Sequence, residues 1–271
     1  MQDKTYNDAK ISATLAKMTH KIIVLSGKGG VGKSTVASHL ALALAEKKYQ
    51  VGLLDSDIHG PSIPKMLGIE DKKPEISEQG INPVMALPNL KVMSMSFFLP
   101  DADAPVIWRG PAKMGAIKQL LSDVHWGDLD YLIVDLPPGT GDEPLSIAKL
   151  IPNSDGAVIV TTPQDVALLS VRKSVTFVKK MNIPVIGIIE NMSGFTCPHC
   201  RKRIDIFKTG GGSKAAMDLM VPFLGKIPLD PTIMEMGDSG NIILHRKDSD
   251  TINSFEKIME KIEKTVNEKK R

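Results

Sequence analysis

The chain is short of cysteine, of aromatic residues and of long apolar runs, and each shortage excludes something. Its only cysteines are Cys197 and Cys200, so no disulfide framework of the secreted kind is available. Aromatic residues make up 4% of the 271 positions. No apolar stretch approaches the roughly 18 residues that span a bilayer, and positions 1–20 are polar, with no apolar signal-peptide segment. Neither sign of charge dominates: 34 Lys+Arg against 31 Asp+Glu give +3, with the two signs interleaved. That pattern argues against a dedicated nucleic-acid binder and against a membrane-surface protein. A cytoplasmic protein is expected.

What is present is an α/β pattern. Short runs rich in Ile, Val and Leu at residues 21–26, 50–55, 91–96, 131–135, 157–161 and 185–190, with a further candidate at 223–227, read as strands covered on both faces. Between them, residues 34–47, 111–123, 143–150 and 164–180 have the length and pattern of crossover helices. The alternation predicts a doubly wound, mostly parallel sheet with ligands at the carboxyl ends of its strands. Residues 1–20 are expected to be a polar extension and 21–271 a single domain. The segment 70–105, rich in Pro, Asp, Lys and Ser, is expected to hold loops and a small extra strand pair. Near the end, Phe255, Ile258, Met259, Ile262 and Val266 recur at helical spacing, as in a last helix docked on the sheet.

The run Gly27-Lys28-Gly29-Gly30-Val31-Gly32-Lys33-Ser34-Thr35 follows the first strand and opens the first crossover helix. Glycines there let successive N–H groups turn toward anionic oxygens, and the helix N-terminus adds its positive dipole end. Lys33 is placed to reach the β/γ-phosphates of ATP and Ser34 to ligate Mg²⁺. Two further apolar strands deliver carboxylates to their ends: Leu53-Leu54-Asp55-Ser56-Asp57, and Tyr131 to Asp135 followed by Leu136-Pro137-Pro138-Gly139. Asp135 there suits a carboxylate behind Mg²⁺, and the turn after it a γ-phosphate-sensing loop.

Cys197-Pro198-His199-Cys200 follows Asn191-Met192-Ser193-Gly194-Phe195 in an expected loop. Two thiolates fill half of the four positions that Zn²⁺ or a [4Fe–4S] centre takes from cysteine. A homodimer with two such loops at its twofold axis would supply the rest. Four thiolates suit either metal. A thioredoxin-like redox pair is the other reading of C-x-x-C, although such a pair usually opens a helix.

The K-G-G-x-G-K-[ST] form of the phosphate loop resembles the deviant Walker A of the class that contains the nitrogenase iron protein, MinD, the ParA partition ATPases and the Mrp-type cluster carriers. The resemblance implies a P-loop NTPase fold and a homodimer in which Lys28 crosses to the partner's nucleotide. It further implies that Asp57 orients the attacking water, Asp55 supports the Mg²⁺ shell, and Asn191 and Asp230 contact the base. Positions 191–200 with Ile204 to Phe207, Gly210-Gly211-Gly212, Trp108-Arg109-Gly110-Pro111 and Asp135-Leu136-Pro137-Pro138-Gly139-Thr140-Gly141-Asp142 are similar to the Mrp/Nbp-type carriers called ApbC in some bacteria. This likeness, over roughly residues 20–250, implies a slow Mg²⁺-dependent ATPase that holds a [4Fe–4S] cluster between two subunits and transfers it to apo-proteins. Some relatives carry a cysteine-rich or small extra N-terminal segment that positions 1–20 lack, which argues against a second stable cluster in each monomer. A MinD/ParA-like positioning ATPase and a thiol oxidoreductase are the alternatives.

Overall fold

The computed structural model describes residues 2–99, 110–197, 199–241 and 250–268. In chain order the elements are α1 (Gln2–Leu15), β1 (Met18–Leu25), α2 (Lys33–Glu46), β2 (Val51–Asp55), α3 (Ile63–Met66), β3 (Glu75–Ser77), β4 (Gly80–Asn82), β5 (Val84–Leu87), β6 (Leu90–Ser94), a 3₁₀ turn at Met95–Phe98, α4 (Gly110–Ser122), β7 (Leu129–Asp135), α5 (Asp142–Lys149), β8 (Gly156–Thr161), α6 (Asp165–Lys180), β9 (Val185–Glu190), β10 (Phe195–Thr196), β11 (Arg203–Ile204), α7 (Gly211–Asp218), β12 (Phe223–Lys226), α8 (Pro231–Asp238) and α9 (Asp250–Glu268). Among the described residues one sheet runs in the order β12-β9-β8-β1-β7-β2-β6-β5, parallel except for the edge strand β5.

The near-continuous apolar strands build two cores because successive side chains point to opposite faces. Ile22 and Val24 pack with Leu53, Ile133 and Val160 against α2 and α9. Ile23 and Leu25 pack with Leu54, Val134 and Ile159 on the other face, against α4, α5 and α6. The expected last helix is α9, and Phe255, Ile258, Met259, Ile262 and Val266 are the apolar residues it buries, with Thr251 beside them.

Two expectations need correction. The extension expected over residues 1–20 ends early: Gln2–Leu15 is helical, and β1 already begins at Met18. Ile11 and Leu15, one helical turn apart, are buried, while Lys10 with Asp123 (2.7 Å) and Lys118 with Asp8 (2.8 Å) pin α1 to α4 and the turn after it. The segment 70–105 does contain a small antiparallel pair, β3 with β4, but it also supplies β5, an extra edge of the main sheet. Trp108 and Arg109 lie outside the described residues, as does Pro198.

Sheet order places the chemistry. β1 lies between β7 and β8; the connection after it runs to β2 on one side, while the one after β7 crosses to β8 on the other, so the loop after β1 occupies the point where the strand order reverses and ligands bind in such sheets. In register, Val24 pairs with Asp135, Asp135 with Asp55, and Asp55 with Ser94. Three neighbouring strands thereby end at one level beside the phosphate loop.

Candidate functional site

Gly27 and Gly32 are fixed by close approach. A Cβ on Gly27 would meet the Ser170 carbonyl oxygen of α6 at 2.4 Å. Gly32 caps α2 in the left-handed region (φ 76°), and a Cβ there would lie 2.3 Å from Asn191 Nδ2. Gly29 and Gly30 have open space where a Cβ would stand, so the loop's mouth is clear for an anion. A cavity of about 170 Å³ follows the loop from Ser26 to Thr35 and is closed by Asp57, Ser62, Met66 and Pro138. It adjoins a more apolar cavity of about 240 Å³ between α2, α3 and α8, sharing Thr35, Ser62 and Met66.

Lys33 and Ser34 meet one carboxylate. Lys33 Nζ lies 2.6 Å from Asp135 Oδ1, and the Ser34 hydroxyl donates to Asp135 Oδ2 at 2.6 Å. Asp55 is also fully buried; it accepts from Ser94 Oγ (3.1 Å) and from the amides of Asp57 (3.2 Å) and Ile63 (3.4 Å). Burial, then the charge of Asp135, pushes the Asp55 carboxyl up to about 7, with Lys33, the Asp57 amide and Ser94 opposing. Asp135 is likewise raised by burial, against the ammonium of Lys33 and the Ser34 hydroxyl. Two buried acids therefore share one ammonium, an excess of negative charge that a divalent cation would relieve. Ser34 Oγ and Asp135, with Asp55 behind them, fit a hard, oxygen-ligated ion such as Mg²⁺.

Asp57 borders the same cavity, and its Oδ1 accepts from the amides of His59 (3.2 Å) and Gly60 (3.3 Å). Lys28 is half-buried, and its Nζ donates to Gln164 Oε1 at 3.4 Å. The turn after β7 is tied back to the loop through Gly139, whose amide donates to the Ser26 carbonyl (2.9 Å).

The expected base contacts have local partners. Asn191 Nδ2 donates to the Val31 carbonyl at 2.9 Å, which puts Asn191 directly behind the phosphate loop. Asp230 caps α8 by accepting from the Thr232 amide (3.0 Å), and its second oxygen accepts from Thr251 of α9 (2.9 Å). In the structure Asp230 thus joins α8 to α9.

The cysteines lie on a hairpin. β10 pairs antiparallel with β11, the Cys197 amide donates to the Lys202 carbonyl (3.0 Å), and the Arg201 amide returns to the Cys197 carbonyl (2.9 Å). Arg201 adopts φ 58°, a left-handed turn position. The Cys197 thiol is pulled down by the amides of Cys200 and His199 and by the Cys200 thiol, which readies it as a thiolate ligand. Cys200 is exposed. Among the described residues no three potential metal ligands cluster, so the hairpin offers two sulfurs and needs others from elsewhere.

Sequence reading had passed over Glu190. It ends an apolar strand in an acid, the same signature that singled out Asp55 and Asp135, and it too is fully buried. Nothing local marks Gln164 or Ser94, which the sequence does not single out.

Comparison with known proteins decides the lineage: the family described as ParA, NUBPL iron-transfer P-loop NTPase, matches residues 17–263. The chain belongs to this family. Among relatives of this NUBPL-type P-loop NTPase, the iron-sulfur cluster carrier protein of Methanocaldococcus jannaschii is 55% identical over 265 residues, 97% of this chain and 90% of that one. The iron-sulfur cluster carrier protein of Saccharolobus solfataricus is 49% identical over 260 residues, 96% of this chain and 88% of that one. A nucleotide-binding protein of Archaeoglobus fulgidus, solved in complex with ADP, superimposes with a TM-score of 0.79 at 40% identity, covering 89% of this chain and 94% of that one. The cell division ATPase MinD of Pyrococcus furiosus shares the fold (TM-score 0.66, 23% identity, 91% of this chain, 99% of that one). The P-loop NTPase fold and the kinship with iron–sulfur carriers expected from the motifs both hold.

Proposed function

We propose that this NUBPL-type NTPase is a cytoplasmic, Mg²⁺-dependent ATPase that carries an iron–sulfur cluster between two subunits and delivers it to apo-proteins. One observation carries the reading: a single chain joins a complete phosphate site to half of a thiolate site. Relatives named as cluster carriers support the cargo. Two hairpins across a twofold axis would give four sulfurs, the number a [4Fe–4S] cluster takes from cysteine.

Mg²⁺, held by Ser34 and Asp135, would neutralise phosphate charge. Lys33 and the loop amides hold the β- and γ-phosphates. Asp57, at the mouth of the cavity, orients the water whose oxygen attacks the γ-phosphorus while the bond to the ADP oxygen breaks. Lys28, whose hydrogen bond among the described residues is to the neutral side chain of Gln164 at 3.4 Å, would swing to the other subunit's nucleotide and act there as arginine fingers do. Asn191, behind Val31, and Asp230 are kept as the base contacts. A thiol oxidoreductase is disfavoured, because neither cysteine stands at a helix N-terminus, the usual setting for a reactive C-x-x-C pair.

Anaerobic reconstitution with iron and sulfide tests the proposal. A brown dimer with about four irons is expected, and Cys197→Ala or Cys200→Ala should lose both colour and iron. A colourless monomer under the same conditions would overturn it.

A further inference from the structure

The segment between β9 and α7 carries both cysteines, and one side chain grips both of its ends. Glu190, the last residue of β9, is fully buried. Its Oε1 accepts from the Ser193 hydroxyl at 2.5 Å, at the start of the segment, and from the Gly210 amide at 2.9 Å, at its finish. Its Oε2 accepts from the Gly212 amide at 2.5 Å, in the first turn of α7. A Cβ on Gly212 would lie 2.9 Å from the Glu190 Cβ, so the glycine run lets α7 come down onto the carboxylate. The next residue, Asn191, donates to Val31 of the phosphate loop. Two consecutive side chains therefore hold the phosphate loop on one side and both feet of the cysteine segment on the other. The backbone between them is fixed as well: the Asn191 amide donates to Thr161 (2.7 Å) and the Ser193 amide to Ile227 (2.8 Å), carbonyls of the flanking strand β8 and of the turn after β12.

We infer that Glu190 is the positioning residue that locks the cysteine hairpin to the phosphate loop, so that a nucleotide-driven movement of the loop face is delivered to Cys197 and Cys200. The inference rests on the carrier reading above and adds the intramolecular link it requires. Without such a link the hairpin, an excursion of two short strands, would absorb a displacement by flexing at its feet. A carboxylate suits the position because three donors converge on its two oxygens. Glutamine would offer one oxygen and turn an N–H₂ group toward one of those donors.

The experiment uses the reduced, cluster-free full chain and follows the rate at which its two thiols react with a disulfide reagent, with and without Mg²⁺ and a non-hydrolysable ATP analogue. Wild type should show a nucleotide-dependent rate. In Glu190→Gln, loss of one charge-assisted acceptor favours the undocked hairpin by about tenfold, so the thiols should react faster and the rate ratio with and without nucleotide should fall to one. ADP affinity, which a general unfolding would abolish, should persist. If Glu190→Gln does not fold, Ser193→Ala, which deletes one of the three donors, should weaken the nucleotide response in the same direction. Variants that keep the wild-type response overturn the assignment while leaving the carrier reading intact, provided wild type still takes up its cluster. A wild type whose thiols ignore nucleotide overturns the link itself, and a failed cluster reconstitution overturns the carrier reading.

Discussion

Asp55→Asn should stabilise the nucleotide-free protein at pH 8, and by less as the pH falls. The folded-state carboxyl ionises near 7, against an ordinary value of 3.8. Between those two values the folded chain keeps a proton that the unfolded chain has released, so this group makes stability fall as pH rises from about 4 to about 7. The full shift is roughly three pH units, a ceiling of about 4 kcal/mol at about 1.4 kcal/mol per unit. Asparagine removes the buried charge but keeps an oxygen for the Asp57 amide, and the Ser94 hydroxyl can turn to accept from its N–H₂ group. The weaker bond from the Ile63 amide is lost, an offset of about 1 kcal/mol. A net gain of about 2–3 kcal/mol at pH 8 remains, or roughly 5–10 °C in melting temperature for a chain of this size. The assay is thermal denaturation of wild type and variant in chelator at pH 5, 6, 7 and 8, read as the difference between the two so that other titrating groups cancel. Saturating Mg²⁺ and ADP should reverse the order, because the cation restores the value of the ionised acid. A difference that does not vary with pH, or a variant less stable than wild type at pH 8, would refute the charge argument.

Other consequences are as direct. Gly27→Ala forces a methyl into the Ser170 carbonyl, 2.4 Å from the ideal Cβ, and should destabilise the fold by about 1–3 kcal/mol with weaker ADP binding, measured by denaturant melts and calorimetry. Lys28→Ala should bind ADP as wild type does, since Lys33 and its partner Asp135 are untouched, yet lose ATP hydrolysis by up to about a thousandfold if the lysine works across the dimer. In that variant cluster-transfer rates should no longer respond to nucleotide. Transfer by wild type at equal rates with and without nucleotide would argue that the two sites are uncoupled.

The strands were legible because burial on both faces leaves a local signature, a run of Ile, Val and Leu that needs no knowledge of its neighbours; β9 was read to the residue. The phosphate loop was legible for the same reason, since its glycines answer to local backbone geometry. α1 was not: among its described side chains Ile11 and Leu15 are the buried ones, an apolar face too narrow to stand out, and the helix packs on α4. β5 escaped because an edge strand needs only one neighbour. That Asp230 caps α8 was not legible either, because its second partner, Thr251, comes from α9.

By itself the sequence determined the alternation of strands and helices, the anion-binding loop and the pair of thiols, all properties of residues close together along the chain. Tertiary structure alone decided that Lys33 meets an acid 102 positions away, that Asp55 and Asp135 share a burial that drives up their proton affinity, and that Glu190 closes both ends of the cysteine segment. The physical reason is common to all three: the charge and hydrogen-bonding state of a buried group depends on what the fold brings against it, and strand register, which no local pattern encodes, selects that company.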